Sequence, residues 1–443
     1  MNNELNRDIT LKSILKFTLP SIFMMVVMSL YTIVDGIFVS RLVNTNAFSA
    51  VNIIYPLISV VIGLGTMFGT GTTAIVSRKL GEGRQQEANQ IVTFIILFTI
   101  GLGIAFSVLS YLFLGQIIHL LGANDAVFDY CRDYALPIVL FLPFSLLQVQ
   151  FQSLFVANGK PGIGLLVTLA SGLANVFLDY FFIAVCHMGV SGAAIATGIG
   201  YFIAAVFGLY YFARHKETPL HFVRPKVSIP NLIRAMTNGS SEMVSNLSSS
   251  VTTLLFNIIM MRLVGPDGVA AISILLYLDF VLIAINLGYS IGVAPLFSYN
   301  YGKGDHGRLK KLFRLSFYFC TGVGVIMTAG TVLFADQLAA VFSPAGSMVY
   351  ELARTGLRIF AMSYLFKGFS IFTSALFTAF GNGTLSAVLS FMRTLVLLVS
   401  AILLFSSLFG IAGVWYATPA AEALACLLAA ALTWKYRKVY SYL

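Results

Sequence analysis

Charge is what this sequence has least of. Only 10% of its 443 residues are Asp, Glu, Lys or Arg, where a soluble chain carries roughly a quarter. That scarcity excludes an ordinary soluble domain. Cysteine and histidine are also sparse, at four and five residues. Cys131, Cys186, Cys320 and Cys426 show no metal-binding or redox spacing, and they read as packing residues. The glycine-rich GLGTMFGTGTT at 63–73 lacks the Lys-Ser/Thr of a phosphate-binding loop. It sits inside an apolar run, where small residues let helices approach closely. No nucleophile constellation and no soluble catalytic segment is found, so neither an enzyme, nor a cofactor, nor direct ATP drive is expected. A cleavable leader is not expected either: the N-terminus is polar and no small-residue cleavage site follows the first apolar run.

What the chain has is hydrocarbon. It is 58% hydrophobic with a mean hydropathy of +0.89. Apolar runs of about 20 residues, each long enough to cross a ~30 Å core as a helix, follow one another with short links. Twelve spans are predicted, at 15–41, 47–76, 87–114, 130–156, 161–185, 189–213, 232–263, 268–299, 309–334, 347–379, 383–408 and 410–435. The net charge of +10 is not a nucleic-acid footprint, because its distribution alternates. Arg78, Lys79 and Arg84, then Lys160, then Arg214 to Arg234, then Lys303 to Arg314 fall in every second connection, along with both ends of the chain. By the positive-inside rule those connections and both termini are cytoplasmic.

The chain also repeats itself. SRKLGEGRQ (77–85) is echoed by SYNYGKGDH (298–306), and GVSGAAIAT (189–197) by GIAGVWYAT (410–418). Gly81 and Gly302, Gly189 and Gly410, and Arg41 and Arg262 are each 221 residues apart. The expected architecture is all-α and polytopic: two parallel six-helix bundles related by internal duplication, with a substrate path between them. The bundles are predicted at 1–213 and 232–443, joined by a charged, proline-containing cytoplasmic linker at 214–231.

Against this apolar background a few polar residues stand out. SLYTIVDGIFVSRL (29–42) places Asp35 in the first span, about six residues before its outer end, with Tyr31 on the same face. SGLANVFLDYFFI (171–183) places Asn175 and Asp179 one turn apart in the fifth span, and Thr197 lies ~12 Å into the sixth. All are predicted at nearly one depth. Two carboxylates in low dielectric cannot both stay ionised without a cation or a proton. The oxygens of Asp35, Asn175, Asp179 and Thr197 suit sodium, or the acids a proton, and there are no soft ligands for a transition metal. Packing is the rival role, but intramembrane carboxylates are functional by default. The 221-residue offset maps Asp35, Asn175 and Asp179 onto Phe256, Val396 and Ser400, so the site belongs to one half only. The second half holds Glu242, Asp279, Lys367, Arg393 and Glu422, which read equally as internal salt bridges or as part of a substrate path. Gln148 and Gln152 are further candidates for that path, with ordinary interhelical bonding as the alternative. Pro20, on the helix of Asp35, removes a backbone hydrogen bond and is a candidate hinge.

These features resemble the multidrug and toxic compound extrusion (MATE) transporters, in their prokaryotic DinF-like and MepA-like branch. The likeness spans essentially the whole chain. Tyr31, Asp35 and Pro20 stand at the family's first-helix spacings, Asn175 and Asp179 match its fifth-helix Asn-x-x-x-Asp, and Thr197 matches its sixth-helix threonine. Glu242 and Asp279 do not fall on the second-half acids used by sodium-dependent members of another branch. The resemblance implies a multi-pass antiporter of the cell (inner) membrane, a monomer, exporting amphipathic and often cationic compounds against inward Na+ or H+. The alternative it leaves is a lipid-linked saccharide flippase of the same superfamily, which would be expected to show a basic cavity.

Overall fold

The computed structural model describes residues 4–43 and 45–443, with side chains given for all of these except 32–34, 36–37, 40–42, 45–46, 48 and 126. Among the described residues every regular element is a helix. The first half comprises α1 (Leu11–Leu42), α2 (Thr45–Gly81), α3 (Gln85–Leu112), the short α4 (Leu114–Leu120), α5 (Asp125–Ala157), α6 (Pro161–Asp179) and α7 (Gly189–Arg214). The second comprises α8 (Ile229–Leu263), α9 (Pro266–Lys303), α10 (His306–Leu333), the short α11 (Ala335–Phe342), α12 (Met348–Phe360), α13 (Tyr364–Ala379), α14 (Gly383–Phe391) and α15 (Leu398–Tyr440).

Among the described residues eleven helical runs are long and apolar enough to cross a membrane, the last being a 58-residue stretch from Gly383 to Tyr440. Straight, that stretch would measure roughly 87 Å, far more than a ~30 Å core. It is not straight. Gly410 has φ +58°, and a Cβ on Gly413 would lie 1.8 Å from the Phe405 carbonyl oxygen. Residues eight apart on one helix are separated by about 12 Å, so the chain folds back here and crosses twice. Twelve crossings result, as the apolar runs predict.

The duplication is written into the backbone. Gly83 and Gly304 both have φ +75°, and Gly189 and Gly410 have φ +60° and +58°. Even the two short helices α4 and α11 begin 221 residues apart. Two π turns break the symmetry: Tyr180–Val185 directly follows Asp179, and Met392–Leu397 contains Arg393. Such turns are rare and concentrate at functional sites.

By the same offset α1 corresponds to α8 and α2 to α9. The halves meet through α1 against α9 and α2 against α8, one contact seen twice. At the end bearing the basic loops this contact is backbone to backbone. A Cβ on Gly239 would lie 1.9 Å from the Met67 carbonyl oxygen, and one on Gly71 the same distance from that of Ala235. Glycine is what permits the approach. The N-terminal residues cross the same seam. Leu5 is fully buried in the core, the Glu4 side chain packs on Gly159 of the first half, and Asn6 accepts from Lys303 and Arg308 of the second.

The linker runs between Arg214, which ends α7, and Ile229-Pro230, which opens α8. Proline is accommodated in the first turn, where no intrahelical N–H is needed. Much of it is not free either. Leu220 donates from its backbone to Asn158, His221 to Asn89 and Val223 to Thr93, which fastens 220–223 to the first half.

Candidate functional site

Close helix packing assembles the site in the first half. Gly200 on α7 is within about a van der Waals contact of α6, where a Cβ would meet the Ser171 carbonyl oxygen at 3.4 Å and Asn175 Cβ at 3.6 Å. That brings the Asn175 amide to α7, where Nδ2 donates to Thr197 Oγ1 at 3.4 Å. Gly172 on α6 leaves room for the Tyr31 ring of α1, 3.2 Å from where its Cβ would be. One turn further along each helix, Asp35 and Asp179 bring their carboxyl groups within hydrogen-bonding reach of one another. Asp179 is fully buried. The predicted five residues are therefore one cluster.

Its electrostatics are unfinished. Asp35 Oδ1, both Asp179 oxygens and Asn175 Oδ1 have no donor among the described residues. Two ionised carboxylates about 4 Å apart repel by roughly 4 kcal/mol at an effective dielectric near 20. A proton shared between them, or a small cation among the four oxygens, removes that repulsion and supplies the missing partners. The donor set is hard oxygen throughout, which suits an alkali cation or a proton and not a soft metal.

Three further residues lie around the cluster that the spacing analysis did not place there. Tyr134 of α5 lies near both carboxylates, and Tyr201 of α7 lies near Asp35 and Tyr31. Tyr201 was findable, being one helical turn from Thr197; Tyr134, in the interfacial-looking YCRDYAL, carried no signal. The third is Gln148, which the sequence offers for a substrate path or for interhelical bonding: its amide is within hydrogen-bonding reach of the Tyr31 hydroxyl. Gln152 donates to Thr168 Oγ1 at 3.3 Å and sits inside the first bundle. Helix α1 runs unbroken through Pro20.

The second-half charges form a buried chain. Lys367 Nζ lies 2.7 Å from Asp279 Oδ1 and 3.9 Å from Glu422 Oε1, which in turn is 3.4 Å from Arg393. Two acids meet two bases, so Asp279, Arg393 and Glu422 are drawn together by each other. Glu242 is outside this chain and forms no ion pair among the described residues. It lines a small cavity of about 30 Å³ between the halves, bounded also by Thr70, Thr73, Ser290, Ile291 and Thr378.

Comparison with known proteins agrees with this architecture. The MatE family model matches residues 20–181 and 243–413. The chain is 26% identical over 426 residues to the multidrug export protein MepA of Staphylococcus saprophyticus, covering 95% of this chain and 92% of the relative. It is 27% identical over 433 residues to MepA of Staphylococcus aureus, with the same coverage. A solved structure of MATE in the straight conformation superposes with a TM-score of 0.94 at 21% identity, over 100% of both chains.

Proposed function

The chain belongs to the MatE family, and from that premise we propose that it exports varied amphipathic, often cationic, compounds in exchange for sodium ions or protons moving inward. It is a multi-pass membrane protein whose relatives are transporters. The observation that supports the coupling is the Asp35–Asp179 pair, in which Asp35 Oδ1 and both Asp179 oxygens have no donor among the described residues. Occupation from outside, where the coupling cation is abundant, neutralises the pair and favours release of the compound. Emptying to the cytoplasm restores the negative charge and with it the state that accepts a new one. For the gradient to do work, cation and substrate must favour different states, so each weakens the other. Asn175, Thr197 and Tyr31 supply the remaining oxygens, and Pro20 is the hinge through which α1 responds.

The test is export measured in inverted vesicles with the sodium and proton gradients collapsed separately. Loss of export with one of the two identifies the coupling ion. Export that survives collapse of both overturns antiport.

A further inference from the structure

We propose that the second half carries a counterpart of the Asp35 cation site that the Lys367 ammonium fills permanently, so that exchangeable coupling cations use the first half alone. The proposal rests on the export reading above and adds which half exchanges its cation and which holds a tethered one.

The duplication supplies the position. By the 221-residue offset Thr418 corresponds to Thr197, Glu422 to Tyr201 and Arg393 to Gly172. Thr197 and Tyr201 border the Asp35 cluster, and Gly172 makes room for its Tyr31 ring. Their counterparts border the buried ion-pair chain. Glu422 and Arg393 belong to that chain, and Thr418 lies one turn before Glu422 on α15. Both halves thus place a polar cluster at one level of the repeat.

The two clusters share their oxygens and differ in the cation. The first offers two carboxylates, a threonine and tyrosines. The second offers Asp279, Glu422, Thr418 and Tyr364, the last beside Asp279. Glu422, Thr418 and Tyr364 are 4%, 2% and 3% exposed, and Glu422 Oε2, Thr418 Oγ1 and the Tyr364 hydroxyl have no partner among the described residues. Such a set of hard oxygens suits an alkali cation. Here, however, Lys367 Nζ stands 2.7 and 2.9 Å from the two Asp279 oxygens and 3.9 Å from Glu422 Oε1. An ammonium is a compact point charge, so it takes a cation's place among oxygens. Bound to α13, it cannot leave. Arg393 balances the second acid, and a further cation would meet like charge in low dielectric.

The experiment is thermal unfolding of the purified full-length protein in detergent, in sodium, methylammonium or choline chloride at one ionic strength. Its background is Asp35→Asn with Asp179→Asn, which removes the first-half site. There sodium and methylammonium are expected to act no differently from choline, because the second cluster already holds its cation. Adding Lys367→Ala empties that cluster. Sodium, or methylammonium as the missing ammonium, should then raise the midpoint over choline by roughly 3 °C or more. A folded Lys367→Ala protein that responds to neither ion overturns the proposal. A sodium response in the background itself also overturns it, and that arm needs no Lys367 variant to fold. If Asp35→Asn alone still couples export to the gradient, the first-half reading fails. If it loses coupling and the background responds to sodium, only the tethered cation fails.

Discussion

Asp35 and Lys367 meet the same difficulty, a charge surrounded by hydrocarbon, and meet it differently. Lys367 is surrounded by opposite charge, 2.7 Å from Asp279 and 3.9 Å from Glu422. Asp35 faces another acid. The first arrangement is complete without a ligand; the second is not. Lys367→Met is therefore expected to destabilise the fold by roughly 3–5 kcal/mol, since it strands two buried acids. Lys367→Met with Asp279→Leu should recover much of that loss, because a buried pair replaced by apolar groups is often tolerated. Thermal unfolding in detergent checks both, and a double variant no better than the single one would show that Glu422 dominates. The acids were legible in the sequence because carboxylates in apolar runs are rare. The pairing of Lys367 with Asp279 was not, since they lie 88 residues apart on different helices.

At the scale of elements, α1 is the helix on which motion depends. Pro20 cannot donate to the carbonyl one turn before it, yet α1 stays helical on both sides. Pro20→Ala adds the missing bond and should stiffen α1, lowering export severalfold while expression and melting stay near wild type. Wild-type export from that variant would remove the hinge. The glycine seam makes a second test. Gly239→Val pushes a side chain into the Met67 carbonyl, an overpacking worth about 1–3 kcal/mol, and should pry α2 from α8. A cysteine placed at the fully buried Ala235 should then label faster from the basic-loop side. Helix existence was readable from hydropathy alone. The bonding of residues 220–223 to the first half was not, because it rests on backbone N–H groups meeting Asn158, Asn89 and Thr93, and no spacing rule encodes such contacts.

For the whole molecule, the duplication was legible because Gly81/Gly302 and Gly189/Gly410 hold positions that small residues alone satisfy. The inter-half cavity was hidden, since its walls come from five helices. Orientation is the first global test. In a cysteine-free background, Glu217→Cys and Asp125→Cys place thiols at exposed positions of the linker and of the start of α5. A membrane-impermeant maleimide applied to intact cells should reach position 125 and miss 217, and the reverse pattern would invert the topology. The central claim is that the Asp35–Asp179 pair converts a cation gradient into export. Proteoliposomes holding Asp35→Asn test it, with ethidium flux measured under an imposed sodium or proton gradient and again without one. The expected result is a folded protein that still exchanges ethidium at equal concentrations but no longer accumulates it against its gradient. Accumulation at the wild-type level would contradict the account and leave Asp35 a packing residue.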